Sequence, residues 1–440
     1  MAEILLPESM DYSDYVMAVA TRNNGARKQI QKGPTTWSAT PVGANGYWTF
    51  DIEGGQARYF LDCKTIYLDT LLTNLDAAAM NLPSCGGAGL IKKIVVESST
   101  GTKISEINNY NNFVNTYDQA TKGSSQLVSE GLLNGGTSSV SNLGEAIATT
   151  ASRGLSIPIR FNVMQNHMYP LMGNVGLRIH IYFDNLTTVS QTDAGLALQS
   201  SDLSFSNPLL IYDVVQLEEN EMEEILFQHD YKFDIVGSDF ENQFGTMATA
   251  DQAFTIQMGF SKRIAKRLYV TIRKDVYLST VARYRNSFSR SRGNLDEIVL
   301  LYNGSKVNDQ SLLVASTADL SCHRVYCENQ KSMYNSLSSA SDSIITPTTF
   351  KLNDAAEDGL TNGVVVGSFF ACINLQNGLE LENGETVSGA NVQMGNFSIK
   401  FVRSSVGTLS QQVDLYLEYE NKMSLNMSPD SGSGVWKIEN

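Results

Sequence analysis

No stretch of this sequence is apolar enough to cross a membrane as a helix. The longest nearly apolar run, GVVVGSFFACINL (363–375), falls short of the ~20 residues a bilayer needs. The opening residues, MAEILLPESMDYSDYV, lack the basic start and apolar centre of a secretory leader, so no secretory route is expected. Cysteine is sparse and odd in number: five, at 63, 85, 322, 327 and 372. That count and its irregular spacing disfavour a disulfide framework and fit a reducing compartment. Histidine is rarer still, with four (167, 180, 229, 323) and no HExxH. There is no GxSxG nucleophile elbow. CGGAGLIK (85–92) is Gly-rich but lacks the phosphate-loop spacing, so it reads as a turn feeding a strand. Cys322, His323 and Cys327 offer three ligands where a structural zinc needs four. The acidic run Glu218, Glu219, Glu221, Glu223, Glu224 lacks the alternating ligands of a calcium loop and reads as a solvated face. No cofactor and no small-molecule substrate are therefore expected. Charged residues make up 18%, below the usual ~25%. Their balance of -14 disfavours general nucleic-acid binding, which needs a basic surface.

What the sequence does have is turns, aromatics and repetition. Gly (34) and Tyr plus Phe (19 and 18) are plentiful, which suits pleated strands joined by tight turns. Residues 89–106, GLIKKIVVESSTGTKISE, return as GNLDEIVLLYNGSKVNDQ at 293–310. FDIEGGQ at Phe50 returns as FTIQMGF at Phe254, and IYLDTLL at Ile66 as LYVTIRK at Leu268. Further on, GLSIPIRF at Gly154 is matched to GNFSIKF at Gly395, and LRIHIYFDN (177–185) to VDLYLEYEN (413–421). Echoes in one order indicate a tandem duplication, with 440 residues suiting two domains.

In 177–183 Leu, Ile, Ile and Phe alternate with Arg178, His180 and Tyr182, and in 413–419 apolar residues alternate with Asp414, Tyr416 and Glu418. A period of two places one set on the core and leaves the other on the solvent side of an antiparallel sheet. Ile94-Val95-Val96 and Ile298-Val299-Leu300-Leu301 are continuous, so these strands are expected to be buried on both sides. Helical periodicity is confined to 105–118 (Ile107, Tyr110, Val114, Tyr117) and 218–228. The expected division is a 1–44 arm, a first β domain over 45–190 with a loop insertion at 119–152, and 191–245 as linker and first strands of the second. The second domain runs over 246–425 with an insertion at 308–362, and 426–440 form a tail.

Three blocks, ARYFLDCKTIYLDTLL (57–72), GLIKKIVVESSTGTKISEINNYNNF (89–113) and SIPIRFNVMQNHMYPLMGNVGLRIHIYF (156–183), carry a family resemblance, as does LLIYDVVQLEENEMEEIL (209–226). In this order they resemble the double jelly-roll major capsid proteins, most closely those of polinton-like viruses and virophages. The resemblance implies an all-β chain of two tandem eight-stranded jelly rolls with few short helices in loops. It implies no enzyme, but a homotrimer with a pseudo-hexagonal footprint that tiles an icosahedral shell around double-stranded DNA. Implied partners are the chain itself, neighbouring capsomers, a penton protein and minor capsid proteins. The implied location is the virion, assembled inside the host cell. Within it, Arg22, Arg27, Lys28 and Lys32 are expected to form an inner-face contact arm that meets DNA or a neighbour. Lys262, Arg263, Lys266, Arg267, Arg283 and Arg285 are expected at subunit interfaces or in pairs within the chain; Arg290 and Arg292 extend the last cluster. Two alternatives stay open: a capsid protein of a tectivirus-like bacterial virus, and a tandem jelly-roll glycan-binding protein. The latter wants exposed Trp platforms and facing carboxylates, against three scattered Trp at 37, 48 and 436.

Overall fold

The structure, a computed structural model, describes residues 27–41, 46–55, 58–137, 144–160, 167–171, 176–185, 202–219, 232–260, 265–274, 290–306, 367–375, 397–403, 410–427 and 434–439, with a few shorter stretches elsewhere. In chain order the first roll contains β1 (Arg27–Lys32), β2 (Tyr47–Ile52), β3 (Tyr59–Asn74), β4 (Ile91–Ser98) and β5 (Lys103–Asn108). Helices α1 (Tyr110–Thr121) and α2 (Ser124–Asn134) follow, then β6 (Ser152–Pro158), β7 (Leu177–Phe183) and β8 (Leu203–Gln216). The second roll contains β9 (Lys232–Met247), β10 (Ala253–Gln257), β11 (Ala265–Lys274), β12 (Leu295–Tyr302) and β13 (Ser305–Lys306). It is completed by β14 (Ala371–Asn374), β15 (Phe397–Arg403) and β16 (Gln411–Met427), and a further strand, β17 (Gly434–Glu439), pairs with β16.

Each roll is a pair of antiparallel sheets. In the first the orders are β1-β8-β3-β6 and β2-β7-β4-β5; in the second they are β9-β16-β11-β14 and β10-β15-β12-β13. Adding eight to each label of the first roll yields the second. Interleaving early and late strands in this way is the Greek-key wiring of a jelly roll. Strand alternation builds the cores: Leu177, Ile179, Ile181 and Phe183 point inward while Arg178, His180 and Tyr182 point out. Trp48 is fully buried in the first core, edge-on to Phe183 and Phe205 at 4.5 and 5.2 Å.

The quoted repeat is the β4–β5 hairpin and its β12–β13 counterpart. Gly101 and Gly304 in the two turns hold φ of 86° and 79°, which favours glycine over any L side chain. Ile94, Val95 and Val96 are buried, as are Ile298, Val299 and Leu300, while Leu301 is half-buried.

Several boundaries move. The last two echoes are one strand out of step: 152–158 lies beside β3, whereas 397–403 takes the place that 177–183 has in the first roll. The partner of 411–427 is 203–216. Alternating strands of one period resemble each other whatever their place in the sheet, and that produced the slip. Residues 203–216, set in the linker region by sequence, close the first roll between β1 and β3. Residues 27–32 are its first strand rather than part of an arm, and the 426–440 tail contains β17. The predicted 105–118 helix splits at Asn109, which has φ of 48°. Ile107 belongs to β5, and the helix runs 110–121. The 119–152 insertion carries α2, and 220–228 lies outside the described residues.

Candidate functional site

The chemistry of this chain concentrates where the rolls meet. Helix α1 leaves the first roll after β5 and lies across the outer face of the second roll's β9-β16-β11 sheet. Phe113 sits with its ring centroid 4.5 Å from Phe240 and 5.4 Å from Tyr416, and Tyr117 is 6.4 Å from Tyr269. Aromatic pairs of this kind add about 0.5–1.5 kcal/mol each beyond the area they bury.

Between these rings lies a polar network. Arg273 donates to Asp414 Oδ2 through Nη2 at 2.7 Å and Nε at 3.1 Å. Asn109 Nδ2 and Gln412 Nε2 donate to the other oxygen at 3.0 and 2.7 Å. Asn112 Nδ2 reaches Thr271 Oγ1 at 2.9 Å and Tyr416 Oη at 3.0 Å, and Tyr416 donates back to the Asn109 carbonyl at 3.1 Å. Burial first, and the Asp414 charge second, hold the Tyr416 hydroxyl well above its ordinary range, so it stays a donor. Farther along α1, fully buried Arg290 donates to Thr116 Oγ1 and Gln119 Oε1. At the other flank Ser105 of β5 donates to Asp239 Oδ1 at 3.0 Å, and Tyr419 donates to Oδ2 at 3.0 Å.

Asp414, Tyr416 and Glu418 were assigned by alternation to a solvent face, yet all three are buried. A second layer covers that face, and strand period alone cannot report a second layer. The fold shows this most plainly in β11, where AKRLYVTIRK is buried along nearly its whole length. A strand with Thr271, Arg273 and Lys274 all buried must be covered on both sides.

The basic residues singled out by sequence are scattered by the fold. Arg27 pairs with Asp62 and Asp213, and Lys32 with Glu53, so both act within the first roll. Lys28 is exposed on β1 with no ion pair among the described residues. Lys266 meets Glu420 at 3.4 Å, and Arg267 meets Glu418 at 3.2 Å, with Tyr269 donating to Glu418 at 2.9 Å. Both cations are thus engaged within one chain. Arg22, Lys262, Arg263, Arg283 and Arg285 lie outside the described residues, as do Cys322 and His323. Among the described residues no group of three His, Cys, Asp or Glu could hold a metal ion, and no helix is long and apolar enough to cross a membrane.

Two hollows flank the junction. The larger, about 800 Å³, is walled by Lys92, Lys93, Asn108 and Tyr182 on one side and Gln243 and Phe244 on the other. The described cysteines are unpaired. Burial drives the Cys63 and Cys372 thiols far up, and Asp62 pushes Cys63 further, whereas Cys327 is exposed. In native protein at pH 8, a maleimide is expected to label Cys327 within minutes and to spare Cys63 and Cys372 until unfolding. Peptide mass mapping reads this directly, and equal labelling of all three in the native state would contradict the packing.

No protein-family profile and no curated protein matches the sequence. Solved structures do. A chain of the PBCV-1 virus capsid superposes with a TM-score of 0.62 at 11% identity, covering 94% of this chain and 97% of its own. A chain of the Sputnik virophage particle gives 0.58 at 12% identity, covering 93% and 88%. The mavirus major capsid protein gives 0.55 at 10% identity, covering 95% and 90%. At such identity the fold is what is shared: this chain is a double jelly roll, built as the major capsid proteins of virophages and large DNA viruses are built.

Proposed function

We propose that this chain is a major capsid protein. Three copies form a trimer with six jelly-roll lobes, and such trimers tile the icosahedral shell of a double-stranded DNA virus of polinton-like or virophage type. One observation carries the reading: the two rolls have the same strand order and are joined head to tail, with the β5–α1 end of the first against a sheet face of the second. A head-to-tail contact is heterologous, and repeating it between copies closes a ring when the rotation permits. With two like rolls per chain, three chains make a near six-fold ring. Such a ring fits hexagonal positions and leaves five-fold vertices to a separate penton protein. Minor capsid proteins and neighbouring trimers are further partners, and Arg22 of the N-terminal segment and exposed Lys28 of β1 are the cations assigned to an inner-face contact with DNA.

Light scattering on the purified chain after size exclusion tests this. The expected mass is three times the 48.2 kDa of one chain, or larger particles made of such units. A monomer at high concentration would overturn the reading.

A further inference from the structure

Helix α1 does not cover the whole outer face of β9. On that strand Phe240, Asn242 and Phe244 project to one side, because alternate residues of a strand share a face. Phe240 lies against Phe113 of α1 and is 7% exposed. Four residues on, Phe244 stands opposite Asp414, which Asn109 reaches from just before the helix, and here the exposure rises to 62%. The hollow of about 800 Å³ opens at this ring. Its facing wall is one end of the first roll: Lys92 and Lys93 at the start of β4, Asn108 at the end of β5, and Tyr182 and Asp184 at the end of β7. The same end carries the α1–α2 insertion, and binding residues concentrate where loops leave a rigid sandwich.

The lining is balanced in charge. Lys92 is 3.7 Å from Asp184, and Lys93 pairs with Glu106 and lies over the Tyr182 ring at 5.6 Å. An anionic ligand gains no net positive field there, and a purely apolar one would strip these polar groups of water without replacing it. Asp184 is held in place by Asn111 Nδ2 and the Asn185 amide, each donating at 2.8 Å. Asn108 is exposed, with its carboxamide hydrogen-bonded to no described residue. An open aromatic ring beside an ammonium, a carboxamide and a carboxylate matches a sugar, whose C–H face stacks on the ring while its hydroxyls both donate and accept. We infer that this hollow binds a neutral di- or trisaccharide, with Phe244 as the stacking platform and Lys92, Asn108 and Asp184 as the hydroxyl partners. Its volume lies within the about 300–1,000 Å³ usual for small-ligand sites. Asp184 is the one carboxylate among the described residues that line it, whereas glycoside hydrolysis uses two, so the site binds without cleaving. On a shell built of this chain, such a site attaches the particle to a glycosylated surface. That use, unlike the site itself, rests on the capsid reading.

A printed array of neutral, sialylated and sulfated oligosaccharides, probed with the fluorescently tagged full chain, is the first test. Retention on neutral di- or trisaccharides is expected. Binding confined to the charged sugars, or to none, overturns the inference. The strongest neutral binder is then titrated by calorimetry into variants. Phe244→Ala and Asn108→Ala are each expected to weaken binding about tenfold, while Phe244→Trp keeps or strengthens it. Both side chains are exposed, so the fold should persist, which far-UV circular dichroism checks. Leu132→Ala on α2 is the control and should leave the affinity unchanged. Variants that all bind as the wild type does put the sugar elsewhere and overturn the assignment. Light scattering keeps the two readings apart. A trimer that retains no sugar overturns this inference and leaves the capsid reading intact; a monomer that binds a neutral sugar through Phe244 upholds the site and overturns the capsid reading.

Discussion

Asp414→Ala is expected to lower the stability of the chain by about 3–5 kcal/mol, the cost of stripping one partner from a buried ion pair. Asp414 is 0% exposed and Arg273 4%. Without the carboxylate, Arg273 keeps its charge in a dry junction, and Asn109 and Gln412 lose an acceptor. A second cation makes matters worse. Arg290 is fully buried nearby, and its affinity for a proton is already lowered, first by burial and then by Arg273. Urea unfolding followed by circular dichroism measures the loss; a change below about 1 kcal/mol would show the pair to be dispensable. The double variant Asp414→Leu with Arg273→Leu is expected to recover most of it, because removing both charges removes the desolvation problem. The first roll already carries leucines at both matched positions, Leu209 and Leu71.

Phe113→Ala is expected to be comparably damaging and to change the shape of the transition. Phe113 is buried against Tyr117, Phe240 and Tyr416, so truncation removes its burial and leaves a cavity, about 3–5 kcal/mol together. The ring links α1 to the second roll through Phe240 and Tyr416, with Tyr117 beside it. Loosening it should let the rolls unfold separately, so calorimetry is expected to show two resolved transitions where the wild type shows one merged event. A single transition with an unchanged midpoint would mean that α1 does not couple the rolls. Ala substitution at exposed Leu132 of α2 is the matched control and should alter neither quantity.

Much of the fold was readable in the chain because strand alternation and turn residues are local signals. Phe50, Ile66 and Gly89 marked β2, β3 and the start of β4, and their echoes marked β10, β11 and the start of β12, while Gly101 and Gly304 marked the turn between the repeat strands. The matching failed where the signal was only alternation: 177–183 and 413–419 share a period but not a place in the sheet. Strand 203–216 was set with the linker because its pairing with 59–74 bridges more than a hundred residues, a partner no local pattern names.

The candidate site was the least legible part. Composition pointed to basic clusters, and the fold gave Arg27, Lys32, Lys266 and Arg267 partners within one chain. The residues that join the rolls, Asn112, Phe113, Asp414 and Tyr416, looked ordinary in sequence. Their importance comes from the docking of a helix onto a face that alternation assigns to water. The order of residues by itself determined that this chain would be two similar β-rich halves with glycine turns at matching places, since side-chain period and backbone freedom act over a few residues. Only the tertiary structure decided which sheet face was covered and which was left open. That choice depends on how layers stack, and contacts between layers carry no periodic imprint on either strand.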